Sequence, residues 1–298
     1  MNMLDERLIE SPVVVSISGG KDSTAAALWC RENDIPFRLL HMDTGWERPE
    51  TEAYVREYLP NALGVPVEIV GHPGGMPALI KKKRGFPSRR RRWCTELLKL
   101  RPAKRWVAEQ YDEPIVMVVG IRAEESARRA RMPEWEEADY FDGWTFRPLI
   151  RWTLDDVIAI HRRHDVVPNP IYLEGGSTAG TRVGCDPCVF SRKSELREFG
   201  NRPQSLQRLR DLEQWVADEW AAGRGPRGDE GKQVQPSTFF QARSPIEGRY
   251  PCVPIDDVVT WAKTSRGGRQ FELFASEARD EGCMRWGLCD TGSSEDLT

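Results

Sequence analysis

The sequence predicts an α/β protein, a doubly wound and mostly parallel sheet with a helical C-terminal extension. Three observations carry that expectation. Short apolar runs alternate with helical patterns through the first part of the 298 residues, the order that builds a parallel sheet wrapped by helices. The first apolar run, "VVV" at 13, leads straight into the glycine turn "SISGGKDST", where such sheets receive ligands, at the carboxyl ends of their strands. Beyond the polar, glycine-rich stretch "AAGRGPRGDEGKQ" at 221 the apolar content is thin. Residues 1–200 are therefore expected to form the main domain and 201–298 an extension of it rather than an independent core.

Taken in order, "SPVVVSIS" reads as a short buried strand and "STAAALWCREN" as a helix that ends near "DIP". "FRLLHMDTG" is a second strand running into a turn, and "PETEAYVREYLPNAL" a second helix. "VPVEIVG" is a third strand, "CTELLKLRPAKRWVAEQ" a helix and "EPIVMVVG" a fourth strand. "TLDDVIAIHRRH" is a helix with Thr153 as its N-cap, and the prolines of "DVVPNPIY" impose an extended path after it. Two further helical patterns, "PIDDVVTWAKTS" and "RQFELFASEARDEG", lead to "CMRWGLCD" and a polar tail.

There is no secretory apolar region at the N-terminus, and no apolar run approaches the roughly 20 residues that span a bilayer. A cytoplasmic protein without membrane contact is expected. Seven cysteines, an odd number, then read as thiols, metal ligands or a nucleophile rather than a disulfide framework. The net charge of −3 hides an asymmetry: between Lys81 and Arg105 twelve Lys or Arg residues face the single acid Glu96, whereas "EWEEADYFD" at 134 is acidic. A solvated helix face mixes signs, so the basic segment is expected to meet a polyanion, either nucleotide phosphates or a nucleic-acid backbone.

In the turn after the first strand, glycines let backbone N–H groups approach an anion, hydroxyls add donors, and a helix N-terminus adds partial positive charge. Phosphate is the expected guest. The turn is not a Walker A loop, since GxxxxGK[ST] is absent. The string Ser18-Gly19-Gly20-Lys21-Asp22-Ser23 instead resembles the PP-loop of ATP pyrophosphatases. "MDTGWERPET" at 42, "GIRAEESARR" at 120, "PLIRWTLDDVIAI" with "PNPIY", and "RVGCDPC" follow in chain order. In that order the chain is similar to the 3'-phosphoadenylylsulfate (PAPS) reductase family, over about residues 10 to 195.

The resemblance implies a PP-loop, adenine nucleotide alpha hydrolase-like fold. It implies that Ser18, Gly19, Gly20, Lys21, Asp22, Ser23 and Thr24 hold phosphate, that Asp43 and Thr44 lie near the nucleoside, and that Gly120, Arg122, Ser126 and Arg129 line the other side. Lys21, Asp22, Arg122 and Arg129 are the expected catalytic charges. The Lys21-Asp22 pair departs from the sulfonucleotide reductases and is typical of relatives that consume ATP. ATP with Mg²⁺ is then the implied nucleotide. An oxygen of the substrate would attack the α-phosphate, pyrophosphate would leave, and sulfur from a donor protein would displace AMP. Nucleic acid, met through Lys81 to Arg92, is the expected acceptor. Two alternatives stand beside this: a thiol-dependent PAPS or adenylylsulfate reductase that releases sulfite, and a non-catalytic nucleic-acid binder stapled by zinc.

Cys185 and Cys188 form C-x-x-C around Pro187, and Cys94 lies in "RRRRWCTELLK", where cluster-binding family members also carry cysteine. Trp93 stands where the adenylylsulfate reductases have a further cysteine, so one ligand is missing. Cys283 or Cys289 is the candidate fourth ligand, the alternative being a fourth iron left open to bind sulfide. Soft thiolates suit a [4Fe-4S] cluster or zinc, and plain reduced thiols remain open. Cys289, in a terminal Gly-Leu-Cys, also resembles the reductases' C-terminal nucleophile. Cys30 and Cys252 are expected to pack, and His161 and His164 to bind no metal. Trp46 and Trp93, inside motif loops, are candidates to stack on a base.

Overall fold

The computed structural model of the chain describes residues 5–138, 140–173, 182–226, 236–242 and 250–264, together with Trp286. Six strands, β1 (Val13–Ser16), β2 (Arg38–Asp43), β3 (Val67–Gly71), β4 (Ile115–Val119), β5 (Trp135–Glu137) and β6 (Gly143–Phe146), form one sheet in the order β3-β2-β1-β4-β6-β5. Every neighbouring pair is parallel except β5 with β6. Val14 of β1 pairs with Arg38 on one side and Met117 on the other. Chain order reverses about β1, so the loop that follows it lies at the topological switch point, where open α/β sheets bind ligands. Because both faces of the sheet are covered, the centre of β1 is continuously apolar, and Val14 and Val15 are fully buried.

The helices are α1 (Arg7–Glu10), α2 (Lys21–Glu32), and α3 (Pro49–Ala53), which runs through a π-helical turn at Tyr54–Tyr58 into α4 (Leu59–Leu63). Then come α5 (Gly75–Lys83), α6 (Trp93–Thr95) passing through a second π-helical turn, Glu96–Leu100, into α7 (Arg101–Gln110), and α8 (Leu154–Arg163). The C-terminal part contributes α9 (Lys193–Phe199), α10 (Pro203–Ala221), the two-stranded pair β7 (Phe240–Gln241) and β8 (Cys252–Val253), and α11 (Ile255–Ala262). No described helix is long and apolar enough to cross a membrane.

One face of the sheet, through Val13, Val15, Val116 and Val118, packs on α2 and α8; the other, through Val14, Leu40, Ile115 and Met117, packs on Ala103, Trp106 and Val107 of α7. A further core gathers Trp46, Leu79, Ile80, Phe86 and Leu98 with Leu209, Val216 and Val259. Residues beyond 201 thus share their core with residues 46–98. The buried Glu213 carboxylate locks this unit by accepting the N–H groups of Phe239 (3.0 Å) and Ile255 (2.9 Å).

The four expected strands and the helices at 21, 49, 101, 154 and 255 are present, and Thr153 caps α8 by accepting the Asp156 N–H at 3.2 Å. Three features differ from the sequence reading. The acidic segment at 134 begins with β5, which pairs back on β6, and "PNPIY" closes in a 3₁₀ turn at Pro170–Tyr172 rather than staying extended. Helices α5, α9 and α10 were not anticipated; α10 is long, and its Leu206, Leu209, Leu212 and Val216 recur at helical spacing. The pattern "RQFELFASEARDEG" lies outside the described residues.

Gly120, directly after β4, has no room for a side chain: a Cβ there would stand 2.2 Å from the Asp22 carbonyl oxygen and 2.6 Å from the Ser23 nitrogen. The bare glycine lets the end of β4 touch the first turn of α2. Gly120→Ala should cost about 1–3 kcal/mol, as overpacking does, and lower the thermal midpoint by a few degrees in calorimetry. An unchanged midpoint would show that strand end and turn do not depend on one another.

Candidate active site

The turn between β1 and α2 is held open by its own side chains. Gly19 has a φ of +74°, and a Cβ there would strike Val55 at 2.8 Å, so glycine is required on both counts. Ser23 accepts the Ser18 N–H (3.1 Å) and donates to the Gly20 carbonyl (2.8 Å), while Asn169 donates to the Gly19 carbonyl (3.1 Å). With these carbonyls tied back, the Gly20 and Lys21 amides make only long contacts, 3.4 Å each, to Ser18 Oγ and Tyr172 OH. They sit at the N-terminus of a twelve-residue helix, the arrangement that binds phosphate. Thr24 is fully buried in the first turn of that helix.

Charge is concentrated on the same turn. Asp22 lies between Lys21, whose Nζ is 2.9 Å away, and the buried guanidinium of Arg122, whose Nε donates to it. Burial alone would raise the Asp22 pKa, but Lys21 and Arg122 hold it below the usual carboxylate range. Burial also works against the Lys21 ammonium, yet Tyr172 and Asp22 outweigh it and its pKa is raised. The Lys21 carbonyl lies 2.9 Å from His161 Nε2, and the other ring nitrogen of His161 lies 3.0 Å from the Val166 carbonyl. Burial holds this imidazole below the ordinary histidine range. Trp286 packs edge-on against His161, with ring centroids 5.3 Å apart, and its carbonyl accepts from Arg162 at 3.1 Å. Its sequence neighbours Cys283 and Cys289, the candidate ligand and nucleophile, lie outside the described residues.

Of the expected residues after β4, Arg122 reaches the turn and Gly120 packs on it. Arg129 pairs instead with Glu125 of its own loop, and Ser126 accepts the Arg129 N–H at 3.2 Å. At the end of β2, Asp43 accepts the Gly45 N–H (2.7 Å) and pairs with Arg56. Thr44 donates to the buried Glu47 (2.6 Å) and stands 3.6 Å from Cys185 Sγ. This loop grips the C-x-x-C turn. The Asp186 N–H donates to the Trp46 carbonyl (2.8 Å) and the Trp46 indole to the Pro187 carbonyl (3.1 Å). Trp46 is therefore not a base-stacking residue: it is 1% exposed, stacked with Phe239 and covered by Arg208. Trp93 is half-buried against the same core.

Cys94, Cys185 and Cys188 line the rim of that core. Burial, with Cys188 adding to it, raises the Cys94 thiol; burial pushes Cys185 up to about 11 despite the nearby Lys99 ammonium. Among the described residues no three metal-binding side chains are gathered closely enough to hold an ion. The three thiols are nonetheless neighbours, and their donor chemistry is the soft set that suits an iron–sulfur cluster or zinc. Cys30 stands apart, fully buried, its thiol pushed up to about 12 by burial. His164 pairs with Glu32, and both ring nitrogens of His161 face backbone carbonyls. Over the strand ends lies a cavity of about 270 Å³, lined among others by Ser16, Met42, Met117, Val119, Tyr140 and Phe141 and bordered by Lys99.

Outside the thiols runs the basic segment. Lys81, Lys82, Arg84 and Arg89 to Arg92 are exposed. Arg84 pairs with Glu219. Arg89 instead donates to the Val189 carbonyl, Arg90 to the Tyr250 hydroxyl and Arg92 to the Thr95 hydroxyl.

Sequence reasoning missed Asn169, Tyr172, Glu47 and Lys99. The first two belong to "PNPIY" and Glu47 to "MDTGWERPET", motifs that were recognised without roles for these members. Lys99 was counted only among the basic residues of its segment.

Fold and turn define an α/β nucleotide-binding protein of the PP-loop class. The chain belongs to the phosphoadenosine phosphosulfate reductase domain family, whose model matches residues 12–191. It is 34% identical to an uncharacterized 37.8 kDa protein of Escherichia phage 186, over 92% of this chain and 95% of that protein. It is 30% identical to adenosine 5'-phosphosulfate reductase of Allochromatium vinosum, over 61% of this chain and 70% of the relative. The phosphoadenylyl-sulfate (PAPS) reductase of Candida auris, solved as a phosphate complex, aligns over 61% of this chain and 85% of that one, with a TM-score of 0.45 and 18% identity.

Among the described residues the Lys21 side chain meets the fold at its neighbour Asp22 and at the Tyr172 ring, 5.1 Å away. Lys21→Ala should abolish nucleotide-dependent turnover. The cost in stability should stay within a few kcal/mol, since Arg122 still pairs with Asp22. Retention of full activity, measured as phosphate or pyrophosphate release, would remove the turn from the site.

Proposed function

We propose that the protein is an ATP-pyrophosphatase-type enzyme of this family that activates a nucleic-acid substrate by adenylylation for sulfur transfer. The observation that carries this reading is the Lys21–Asp22–Arg122 cluster at the head of α2. A triphosphate brings more negative charge than one helix N-terminus balances. The half-buried Lys21 and the buried Arg122 stand on either side of Asp22, with the exposed Glu124 as Arg122's second partner; a triphosphate could take these cations over from the carboxylates, and Asp22 would then suit a hard divalent cation such as Mg²⁺. The Gly20 and Lys21 amides, which now make only long contacts, would hold the β- and γ-phosphates, and Lys21 and Arg122 would stabilise charge that develops on the departing pyrophosphate. The cavity over the strand ends supports a place for the base, with Met42, Met117 and Val119 as its floor.

Cys94, Cys185 and Cys188 would hold a [4Fe-4S] cluster or zinc. A cluster with an open iron would supply a site for sulfide. Thr44, 3.6 Å from Cys185 Sγ at the end of β2, supports adjacent thiol and nucleotide chemistry.

A second reading, reduction of an activated sulfate, is favoured by the similarity to adenosine 5'-phosphosulfate reductase. Release of pyrophosphate from ATP supports the first, and release of sulfite from PAPS or adenylylsulfate the second.

Protein prepared without oxygen should be brown and contain iron and sulfide, and Cys94→Ala, Cys185→Ala and Cys188→Ala should each bleach it while Cys30→Ala does not. Colourless protein with one tightly held zinc would assign the thiols a structural role. The nucleic-acid part has its own test. Each phosphate neutralised by Lys or Arg releases counterions, so the logarithm of affinity should fall linearly with the logarithm of salt. Replacing Lys81, Lys82 and Lys83 by alanine together should flatten that slope for all sequences alike, read by filter binding across a salt series. Absence of binding to both tRNA and duplex DNA at low salt would remove nucleic acid from the reading.

A further inference from the structure

Two properties of the basic rim go beyond its charge. The first is that few carboxylates stand among its cations: among the described residues Lys81, Lys82, Lys83, Arg89, Arg90 and Arg92 make no ion pair with a carboxylate, whereas Arg84 pairs with Glu219. Like charges this close repel one another, and a polyanion relieves that repulsion. The second is that aromatic rings are interleaved with them. Lys81 lies 6.0 Å from the Trp215 ring, Lys83 5.6 Å from Trp93 and Arg90 4.4 Å from Tyr250.

Phe190 differs from those rings. Among the described residues it is the large aromatic side chain left exposed, at 38%. The guanidinium carbons of Arg89 and Arg92 stand 5.8 and 5.0 Å from its centroid, within cation–π range. Its backbone is fixed at several points. Arg89 donates to the Val189 carbonyl (3.0 Å), Arg182 to the Phe190 carbonyl (2.9 Å), and the Phe190 N–H to Cys188 Sγ (3.5 Å). An exposed ring so held is preorganised, and little ordering remains to be done when something stacks on it.

We propose that Phe190, framed by Arg89 and Arg92, is a base-stacking platform that seats an unpaired nucleotide beside the Cys185–Cys188 turn, so that the rim takes single-stranded rather than duplex nucleic acid. The proposal rests on the nucleic-acid reading above and names the form of the substrate. A duplex keeps its base faces stacked inside and offers the rim only phosphates. A single strand offers both phosphates for the cations and base faces for the ring. The hydrogen bond between the Phe190 amide and Cys188 ties the platform to the thiols, which puts a stacked base next to the sulfur chemistry.

The test is fluorescence anisotropy on the full chain with labelled single strands, one RNA and one DNA of the same sequence, and with the corresponding DNA duplex. Phe190→Ala should weaken single-strand binding about tenfold, in line with the loss of one stacked base. It should leave duplex binding and the salt slope unchanged, because no charge is removed. Phe190→Trp should restore single-strand affinity and Phe190→Leu, which keeps apolar bulk without a ring face, should not. The Trp and Leu pair decides the matter if the alanine variant melts early. A loss seen with RNA alone or DNA alone supports the platform and identifies the sugar. Equal losses on single strand and duplex, or no loss at all, overturn it. If the unmodified protein binds duplex but not single strands, the platform fails and the nucleic-acid reading survives; if it binds neither, both fail.

Discussion

Asp22 lies at the point where three parts of the molecule meet. It is in the first turn of α2, its carboxylate is shared by Lys21 and by Arg122 from the loop after β4, and its carbonyl oxygen abuts Gly120 at the end of that strand. A carboxylate this buried is tolerated only when paired, and losing both partners would leave a charge whose burial costs several kcal/mol. The pairing therefore fixes the distance between the head of α2 and the β4 loop. The geometry of the turn depends on that spacing, because the Gly20 and Lys21 amides belong to one side and the buried guanidinium to the other. His161 and Tyr172 extend the constraint by engaging the backbone of Lys21 from α8 and from the 3₁₀ turn.

A second linkage joins the loop after β2 to the thiols. Glu47 folds back to accept the Thr44 hydroxyl and the Thr44 and Trp46 N–H groups, which makes the loop after β2 rigid. Trp46 then exchanges hydrogen bonds with the Asp186–Pro187 segment, and Arg202 grips Asp186 with contacts of 2.6 and 2.7 Å. The thiol turn is thus positioned by the loop after β2 and by Arg202, the N-cap of α10. Its place beside the phosphate turn follows from hydrogen bonds rather than from sequence distance.

Much of this was legible in the residues. β1 and β4 are almost wholly valine, isoleucine and methionine, β2 carries Leu39, Leu40 and Met42, and the turn after β1 carries its own chemistry, so these strands and the loop from Ser18 to Ser23 were readable locally. What was not readable depends on contacts far apart in the chain. Trp46 sits in a motif loop and looks available to a base, but its burial is decided by Phe239 and Arg208. Arg129 follows Arg122 in the same motif, and only the geometry shows that Glu125 holds one while Asp22 holds the other. The β5 strand hid behind its acidic composition, because an edge strand with one solvated face can carry charge without losing its pairing. Helix α10 did carry a periodic apolar stripe, and its charged residues masked it.

That helix has a bearing on how the site can change over time. Arg208 of α10 lies 4.2 Å over the Trp46 ring and donates to the Gly45 carbonyl at 2.6 Å, yet α10 supplies none of the phosphate-turn residues or rim thiols. Substitutions along it can shift the loop that bears Thr44, and through Trp46 the thiol turn, without altering a charged group at the phosphate turn. It is an adjustable mounting beneath a fixed electrostatic centre, and lineages of this fold can retune the spacing between the β2 loop and the thiol turn there while the Lys21–Asp22–Arg122 cluster stays the same.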